Sequence, residues 1–438
     1  MAKQGAKTVV PRLRFPEFRG ASEWSTKSMN ELYSFMRNNI LSRDKLNYEF
    51  GLAKNIHYGD IHTKFPAIFD ITQELVPFIN ESEVVPDAAS EDYCVEGDLI
   101  FADASEDMGD VGKSMEIVRL AGERLLSGQH TILARRRDDA LIVGFGGHLF
   151  RSGLIRSRIE KEAQGTKVYQ ISSSRLGGID VTFPSDRAEQ QKIADCLTSL
   201  DEVLAAQGRK VEALKAHKRG LMQQLFPREG ETRPRLRFPE FRNAPEWEEK
   251  KLNHVARLRN GYAFKSSEYV ETGPYRIITI ANVQQGDLAL DSTKIISALP
   301  SDVQQHQILR LGDILISMTG NVGRVCRVTA EGLLLNQRVG KLVPGAINHE
   351  FFYQLLQRDE FRSAMRLKAA GGAQGNLSAG DISEYIFCLP EEPKEQQRIA
   401  DCLSSLDTQI AAETNQLAAL KTHKQGLIQQ LFPAQEEG

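Results

Sequence analysis

The sequence lacks the signatures of the common hydrolytic enzymes. It has no Cys-x-x-Cys pair, no His-Glu-x-x-His and no Gly-x-Ser-x-Gly, so zinc hydrolysis and serine nucleophile chemistry have no recognisable site. It also lacks the Asn-Pro-Pro-Tyr or Asp-Pro-Pro-Tyr tetrapeptide of amino-methyltransferases. Five cysteines, Cys94, Cys196, Cys326, Cys388 and Cys402, are an odd count at spacings that fit neither a disulfide framework nor a metal site; a reducing cytoplasm is the expected setting. No run approaches 18 apolar residues, and Met1-Ala-Lys-Gln-Gly-Ala-Lys leads into no apolar segment, so a soluble cytoplasmic protein with no membrane partner is expected. Excess charge is missing too: a net charge of -3 means that any nucleic-acid surface is a local patch. With 438 residues, 41% of them hydrophobic, the chain can bury the cores of two to four domains.

What the chain has in quantity is repetition. Glu189-Gln-Gln-Lys-Ile-Ala-Asp-Cys-Leu197 returns 206 residues later as Glu395-Gln-Gln-Arg-Ile-Ala-Asp-Cys-Leu403, and Leu221-Met-Gln-Gln-Leu-Phe-Pro227 returns as Leu427-Ile-Gln-Gln-Leu-Phe-Pro433 at the same offset. Apolar residues inside each copy step by fours and threes. In the first they are Ile193, Leu197, Leu200, Leu204, Val211, Leu214, Leu221 and Leu225. In the second they are Ile399, Leu403, Leu406, Ile410, Leu417, Leu420, Leu427 and Leu431. This is the heptad pattern of a helix whose apolar seam faces another helix, and two seams in one chain predict that each helix is the other's partner. Polar residues break the seams at matched places, Gln207 and Lys218 in one, Glu413 and Lys424 in the other. Each helix, ~38 residues at about 1.5 Å per residue, makes a rod of roughly 57 Å.

A second repeat marks the front of each copy. Pro11-Arg-Leu-Arg-Phe-Pro-Glu-Phe-Arg19 recurs letter for letter at Pro234 to Arg242, each followed five residues on by a tryptophan, Trp24 and Trp247. The prolines predict an extended, non-helical lead-in with Phe15, Phe18 and the tryptophan as anchors. Between lead-in and helix lie two middles of mixed character. Leu99–Ala102, Glu116–Arg119, Ala140–Gly144, Tyr275–Ile280 and Ile314–Ser317 read as strands. Glu350 to Lys368 reads as one helix with Phe351, Phe352, Leu355 and Leu356 inward and Arg358, Arg362 and Arg366 on its other face. Fainter echoes align the middles, among them Gly97-Asp98 with Gly312-Asp313, Gly109 to Lys113 with Gly320 to Arg324, and Ile171-Ser172 with Leu377-Ser378.

The expected class is α+β: two mixed α/β globular domains separated by two long antiparallel coiled-coil helices, with a pseudo-two-fold internal repeat. The expected divisions are a tail and lead-in (1–24, its first ten residues loose), a first globular domain (25–185), a first helix (186–227), a linker and second lead-in (228–247), a second globular domain (248–390) and a second helix (391–438). If the helices are antiparallel, Phe432-Pro433 falls near Pro11, as Phe226-Pro227 falls near Pro234.

Candidate sites are sparse. Gly109-Asp-Val-Gly-Lys-Ser114 resembles the tail of a phosphate-binding loop, but Asp107 stands where that motif needs its first glycine. Its plainer reading is a glycine turn after a strand. Val143-Gly-Phe-Gly-Gly-His148 lacks the strand-loop-helix setting of a cofactor loop. Groups suited to DNA are more frequent. Lys54, Asn55, His57 and Tyr58, with Asn282, Gln284 and Gln285, offer side chains that hydrogen-bond base edges. Lys113, Arg135, Arg136, Arg137, Arg276, Arg324, Arg358, Arg362 and Arg366 offer cations for phosphates.

Two diverged units, each closing on Glu-Gln-Gln-x-Ile-Ala-x-x-Leu and Gly-Leu-x-Gln-Gln-Leu-Phe-Pro, resemble the specificity subunit of type I restriction-modification systems, from about residue 11 to 433. The resemblance implies that 25–185 and 248–390 are target-recognition domains, each reading half of a split DNA site, and that the helices fix their spacing. It implies no catalysis and no cofactor in this chain. Double-stranded DNA, two modification subunits that use S-adenosylmethionine to methylate adenine, and restriction subunits that use ATP and magnesium are the implied partners. Two other readings are a nucleotide-binding enzyme, resting on Gly-Lys-Ser, and a helical assembly scaffold without DNA specificity.

Overall fold

The computed structural model describes residues 11–87, 89–371 and 375–433; the expected loose tail at 1–10 lies outside them. The chain divides into two units. Unit 1 comprises Met1–Gly208 with Asn415–Gly438, and unit 2 comprises Arg209–Thr414. Each therefore holds one globular domain, part of a first long helix, Arg187–Leu225, and part of a second, Pro393–Leu431.

In unit 1 the main sheet has five strands in the order Tyr33–Met36, Thr131–Arg136, Leu99–Ala102, Ser114–Arg119, Ile68–Asp70, antiparallel except for the last, parallel pair. Its central strand Leu99-Ile-Phe-Ala102 is buried at every position, as expected of an unbroken apolar run covered on both faces. One face packs on Phe101, Phe145, Phe150 and Trp24, the other on Ile100, Met115 and Leu133. A smaller sheet runs Leu125–Ser127, Lys54–Ile56, Phe78–Ile79, Leu46–Asn47. A two-stranded ribbon, Ser25–Ser28 against Asp180–Phe183, ties the lead-in to the strand just ahead of the first long helix.

Unit 2 has a four-stranded sheet in the order Ala256–Asn260, Val339–Pro344, Ile314–Ser317, Val325–Arg327, a three-stranded sheet around Tyr275–Ile278, and a ribbon of Glu248–Lys251 against Ile386–Leu389. Here too Ile314–Ser317 is buried throughout.

Three expectations need correction. The proline lead-ins are not wholly extended, because each closes a 3-10 turn, Pro16–Phe18 and Pro239–Phe241; proline's fixed φ suits the first position of such a turn. Ala140–Gly144 is not a strand. Leu141 and Ile142 are buried, but side chains satisfy their backbone: Gln190 bonds Ala140 O (2.8 Å) and Ile142 N (2.9 Å), and Arg136 bonds Leu141 O (2.7 Å). Glu350 to Lys368 is two helices, His349–Leu356 and Asp359–Gly371. At ~100° per residue the inward set Phe361, Met365 and Ala369 sits roughly 110° around the axis from Phe351, Phe352, Leu355 and Leu356. A break at Gln357-Arg358 lets both sets face the core.

No seam position is exposed. Ile193, Leu197, Val211, Leu225, Ile399, Leu403 and Leu431 are buried and the other nine are partly buried. Three of the four seam breaks are occupied by ion pairs. In unit 1 Lys424 pairs with Asp201. In unit 2 Lys218 Nζ lies 2.6 Å from Asp407 and Lys210 Nζ lies 2.6 Å from Glu413. The fourth, Gln207, is buried. Numbering rises along one helix as it falls along the other in each unit.

Candidate nucleic-acid interface

Each globular domain is fixed to a helix start by the same arrangement. Glu189 lies one turn before Ile193 and is 1% exposed. Arg14 meets it end-on, Nε to Oε1 at 2.7 Å and Nη2 to Oε2 at 2.6 Å, while Trp24 Nε1 donates to Oε1 at 3.4 Å. In unit 2 Arg237 meets Glu395 at 2.7 Å twice, and Trp247 Nε1 donates at 3.3 Å. The adjacent glutamines brace the domains: Gln190 bonds Pro184 O and Gln396 bonds Pro390 O. The far ends of the helices supply aromatic plugs. Phe432 packs edge-on to Trp24 at 6.3 Å, and Phe226 to Trp247 at 6.1 Å. Backbone bonds of 2.9 Å from Leu13 N to Gln430 O and from Leu236 N to Gln224 O put Pro11 beside Phe432 and Pro234 beside Phe226. The sequence held a signal for the clamp: Glu189 and Glu395 are acids in register with the seam, and a buried acid needs a cation, which the exact repeat supplies as Arg14 and Arg237.

The residues singled out for DNA contact fall into three groups. Several are engaged in holding the fold. Asn55 and Asn282 are fully buried; Asn55 Oδ1 accepts from Asn39 at 2.6 Å, and Asn282 bridges Thr279 and Ala289. Arg135 clasps buried Asp98 at 2.9 Å and Tyr93 O at 2.6 Å, Arg136 is bound to Leu141 O, and Arg137 donates to Tyr33 O at 3.1 Å. Lys113 Nζ bonds His62 O at 2.8 Å and Asp110 at 3.2 Å, so this lysine ties its own turn to the segment around His62. Arg358, in the helix break, bonds Pro227 O at 2.8 Å and lies over Phe226. The three arginines of the expected stripe are therefore not on one helix.

A second group forms clusters. Gln284 accepts from Arg324 at 2.5 Å, and Gln285 bonds Gln357 at 2.8 Å. Tyr58 is ringed by His57, His62 and His130 at centroid distances of 4.6, 5.8 and 5.3 Å. His57 Nδ1 accepts from Gly59 N, and burial, with Arg43 nearby, holds its pKa below the ordinary value. The third group is partly buried in ion pairs or open to solvent. Lys54 lies 3.4 Å from Glu123, and Arg362 bonds Asp359 at 2.8 Å. Arg276 and Arg366 are exposed and carry no side-chain partner among the described residues.

Among the described residues no group of three or more His, Cys, Asp or Glu could hold a metal ion, and no helix is long and apolar enough to cross a membrane. Val143–His148 is a glycine turn leading into a short helix, Gly146–Leu149.

The model of the type I restriction modification DNA specificity domain family matches residues 245–422. The specificity subunit of type I restriction enzyme MjaVIII from Methanocaldococcus jannaschii is 24% identical over 291 residues, covering 64% of this chain and 67% of that one. The EcoKI specificity subunit of Escherichia coli K12 is 23% identical over 316 residues, covering 68% and 66%. The chain thus spans about two thirds of the length of each. In fold it is similar to the crystal structure of the type I restriction-modification S subunit from M. genitalium, with a TM-score of 0.58 at 17% identity, over 97% of this chain and 99% of that one. The resemblance to type I specificity subunits read from the sequence is therefore found by family, by relatives and by fold.

Proposed function

We propose that this chain is the DNA-recognition subunit of a type I restriction-modification complex. The domains at 25–185 and 248–390 each read one half of an asymmetric bipartite target, and the two long helices, antiparallel and related by a pseudo-two-fold axis, set the distance between the halves. The observation that carries the reading is the clamp of arginine, glutamate and tryptophan, present at the start of both long helices beneath domains whose loop residues differ. Identical supports under unlike readers are what a two-part recognition protein requires.

In this reading the chain does no chemistry. It holds two modification subunits, which use S-adenosylmethionine to methylate adenine, and restriction subunits, which use ATP and magnesium. Half-sites about one duplex turn, ~34 Å, apart suit two readers on one face of the DNA.

The test is to map methylated adenines in DNA from cells carrying the complete system, then replace residues 25–185 with the equivalent domain of another such chain. One half of the target changes and the other stays. A target without a sequence-tolerant centre, or one unaffected by the swap, would sink the reading. Inserting four residues, ~6 Å, after Gln207 should lengthen the tolerated centre by about one or two base pairs.

A further inference from the structure

In both units one end of the main sheet carries exposed cations, none of them among those considered above. In unit 1 the edge strand Tyr33–Met36 pairs antiparallel with Thr131–Arg136, Met36 opposite Leu133. Arg37 therefore leaves the edge strand at the end where His130 enters its neighbour. In unit 2 the edge strand Ala256–Asn260 pairs with Val339–Pro344, Asn260 opposite Gly340. Arg259 lies at the end where Arg338 enters. Superposing the pairings through Gly97-Asp98 and Gly312-Asp313 places Gln129-His130 on Gln337-Arg338, because Ala102 faces Thr131 as Ser317 faces Val339.

The side chains there are exposed and available. The guanidinium groups of Arg37, Arg259 and Arg338 make no hydrogen bond or ion pair among the described residues. His130 has φ of +58°, a left-handed conformation that costs a non-glycine residue energy and concentrates at functional positions. Its ring leans on Tyr58, and its Nδ1 lies 3.3 Å from Asp103, which orients the imidazole.

The backbone beneath is fixed. Asn38 Nδ2 bonds Thr131 O at 2.7 Å and Gly128 O at 3.3 Å, joining the two loops of unit 1. In unit 2 Gln337 N donates to Tyr262 O at 2.9 Å and Met318 N to Arg338 O at 3.1 Å. Gly261 passes so close to Asn336 O that a Cβ would clash. Beside each pair of loops lies a buried polar atom with no hydrogen bond among the described residues: Asn55 Nδ2, against Gly128, and Thr319 Oγ1, next to Met318. Rigid loops that present unpaired hydrogen-bonding groups avoid the ordering cost that weakens recognition by mobile ones.

We propose that this loop end of the sheet is the base-reading surface of each domain, with Arg37 and His130 reading one half-site and Arg259 and Arg338 the other through base edges in a DNA groove. The placement rests on the DNA-recognition reading above. An arginine on guanine or a histidine on a base acceptor supplies the direct contact that distinguishes one base pair from another.

The experiment uses the chain assembled with its modification subunits. Binding is measured by fluorescence anisotropy against duplexes that carry the mapped target and each single-base change in it. Arg338→Ala should weaken binding to the cognate sequence roughly tenfold to a hundredfold and remove the preference at one base pair of a single half-site. His130→Asn, which keeps a residue tolerant of the left-handed backbone, should relax one base pair of the other half-site. Unchanged thermal melting of both variants secures the comparison. If both keep the wild-type preference at every position, or if both weaken all duplexes equally, as phosphate contacts would, the placement is overturned while the DNA-recognition reading stands. If the wild-type assembly shows no sequence preference, the reading and the placement fall together.

Discussion

Glu189 receives the guanidinium of Arg14 through both carboxylate oxygens, at 2.7 and 2.6 Å, with only 1% of the glutamate side chain and 10% of the arginine side chain open to solvent. Removing one partner of such a pair leaves an uncompensated buried charge, at a cost of about 3–5 kcal/mol. Arg14→Ala should therefore destabilise unit 1 by that order. Replacing both, as Arg14→Met with Glu189→Met, should recover most of the loss, because two apolar side chains have no charge to desolvate. Chemical denaturation of the three variants checks this, and a double variant as unstable as the single would show that the pair acts through something other than its charges.

The last helical turn belongs to the core of the first domain. Leu431 and Phe432 are 1% exposed and share a cluster with Trp24, Phe145 and Leu197. Phe432→Ala should cost about 3–5 kcal/mol. A chain ending at residue 425 should lose protection in unit 1 rather than unit 2, because residues 225 and 226 play the same part there. Hydrogen exchange read by peptide mass would show the loss in 11–208; protection lost evenly over both units would contradict it.

In unit 2 Asp407 accepts from Lys218 at 2.6 Å through one oxygen and from fully buried Gln354 at 2.6 Å through the other. Asp407 is 40% exposed, so the ion pair itself is worth no more than about 1 kcal/mol. Leaving Gln354 Nε2 without its acceptor costs more, about 1–3 kcal/mol. Asp407→Ala should accordingly destabilise more than Lys218→Ala does. Equal effects in urea melts would assign the stabilisation to the charge pair instead.

What the sequence disclosed depended on whether a residue's role was local or distant. The long helices were legible because a heptad seam is a local pattern and every seam residue faces inward. Leu99–Ala102 and Ile314–Ser317 were legible as short apolar runs. Ala140–Gly144 misled because its backbone partner is the side chain of Gln190, 50 residues away, which no window can contain. The helix at Glu350 misled because its apolar face changes direction at Gln357 while its composition does not. Among the polar candidates, residue type alone could not separate Asn55 and Asn282, buried and bonded within the fold, from Arg37 and Arg338, which stand open at a strand end. That distinction rests on strand pairing between distant segments.

Two buried groups in unit 1 give its stability a pH dependence of opposite signs. Burial, moderated by hydrogen bonds from backbone N–H groups led by that of Gly147, pushes the Glu116 carboxyl up to about 7 from 4.5. The folded state then holds the proton longer than the unfolded chain, so the contribution is full below about 4.5 and is lost as pH rises to about 7, a change on the order of 3 kcal/mol. Burial, reinforced by Lys424 and Arg151, pulls the His148 imidazole down to about 3 from 6.5. Here the unfolded chain binds the extra proton, so stability is full above about 6.5 and falls as pH drops toward 3. Between about 4.5 and 6.5 the two slopes offset one another. Glu116→Gln, which keeps an acceptor for Gly147 N, should gain on the wild type as pH rises from 5 to 8, and His148→Gln should gain as pH falls from 7 to 4. Trp24 lies in unit 1 and Trp247 in unit 2, so urea melts in a Trp247→Phe background report unit 1 alone. Curves that stay parallel to the wild type across pH would show that neither group titrates on unfolding as its burial requires.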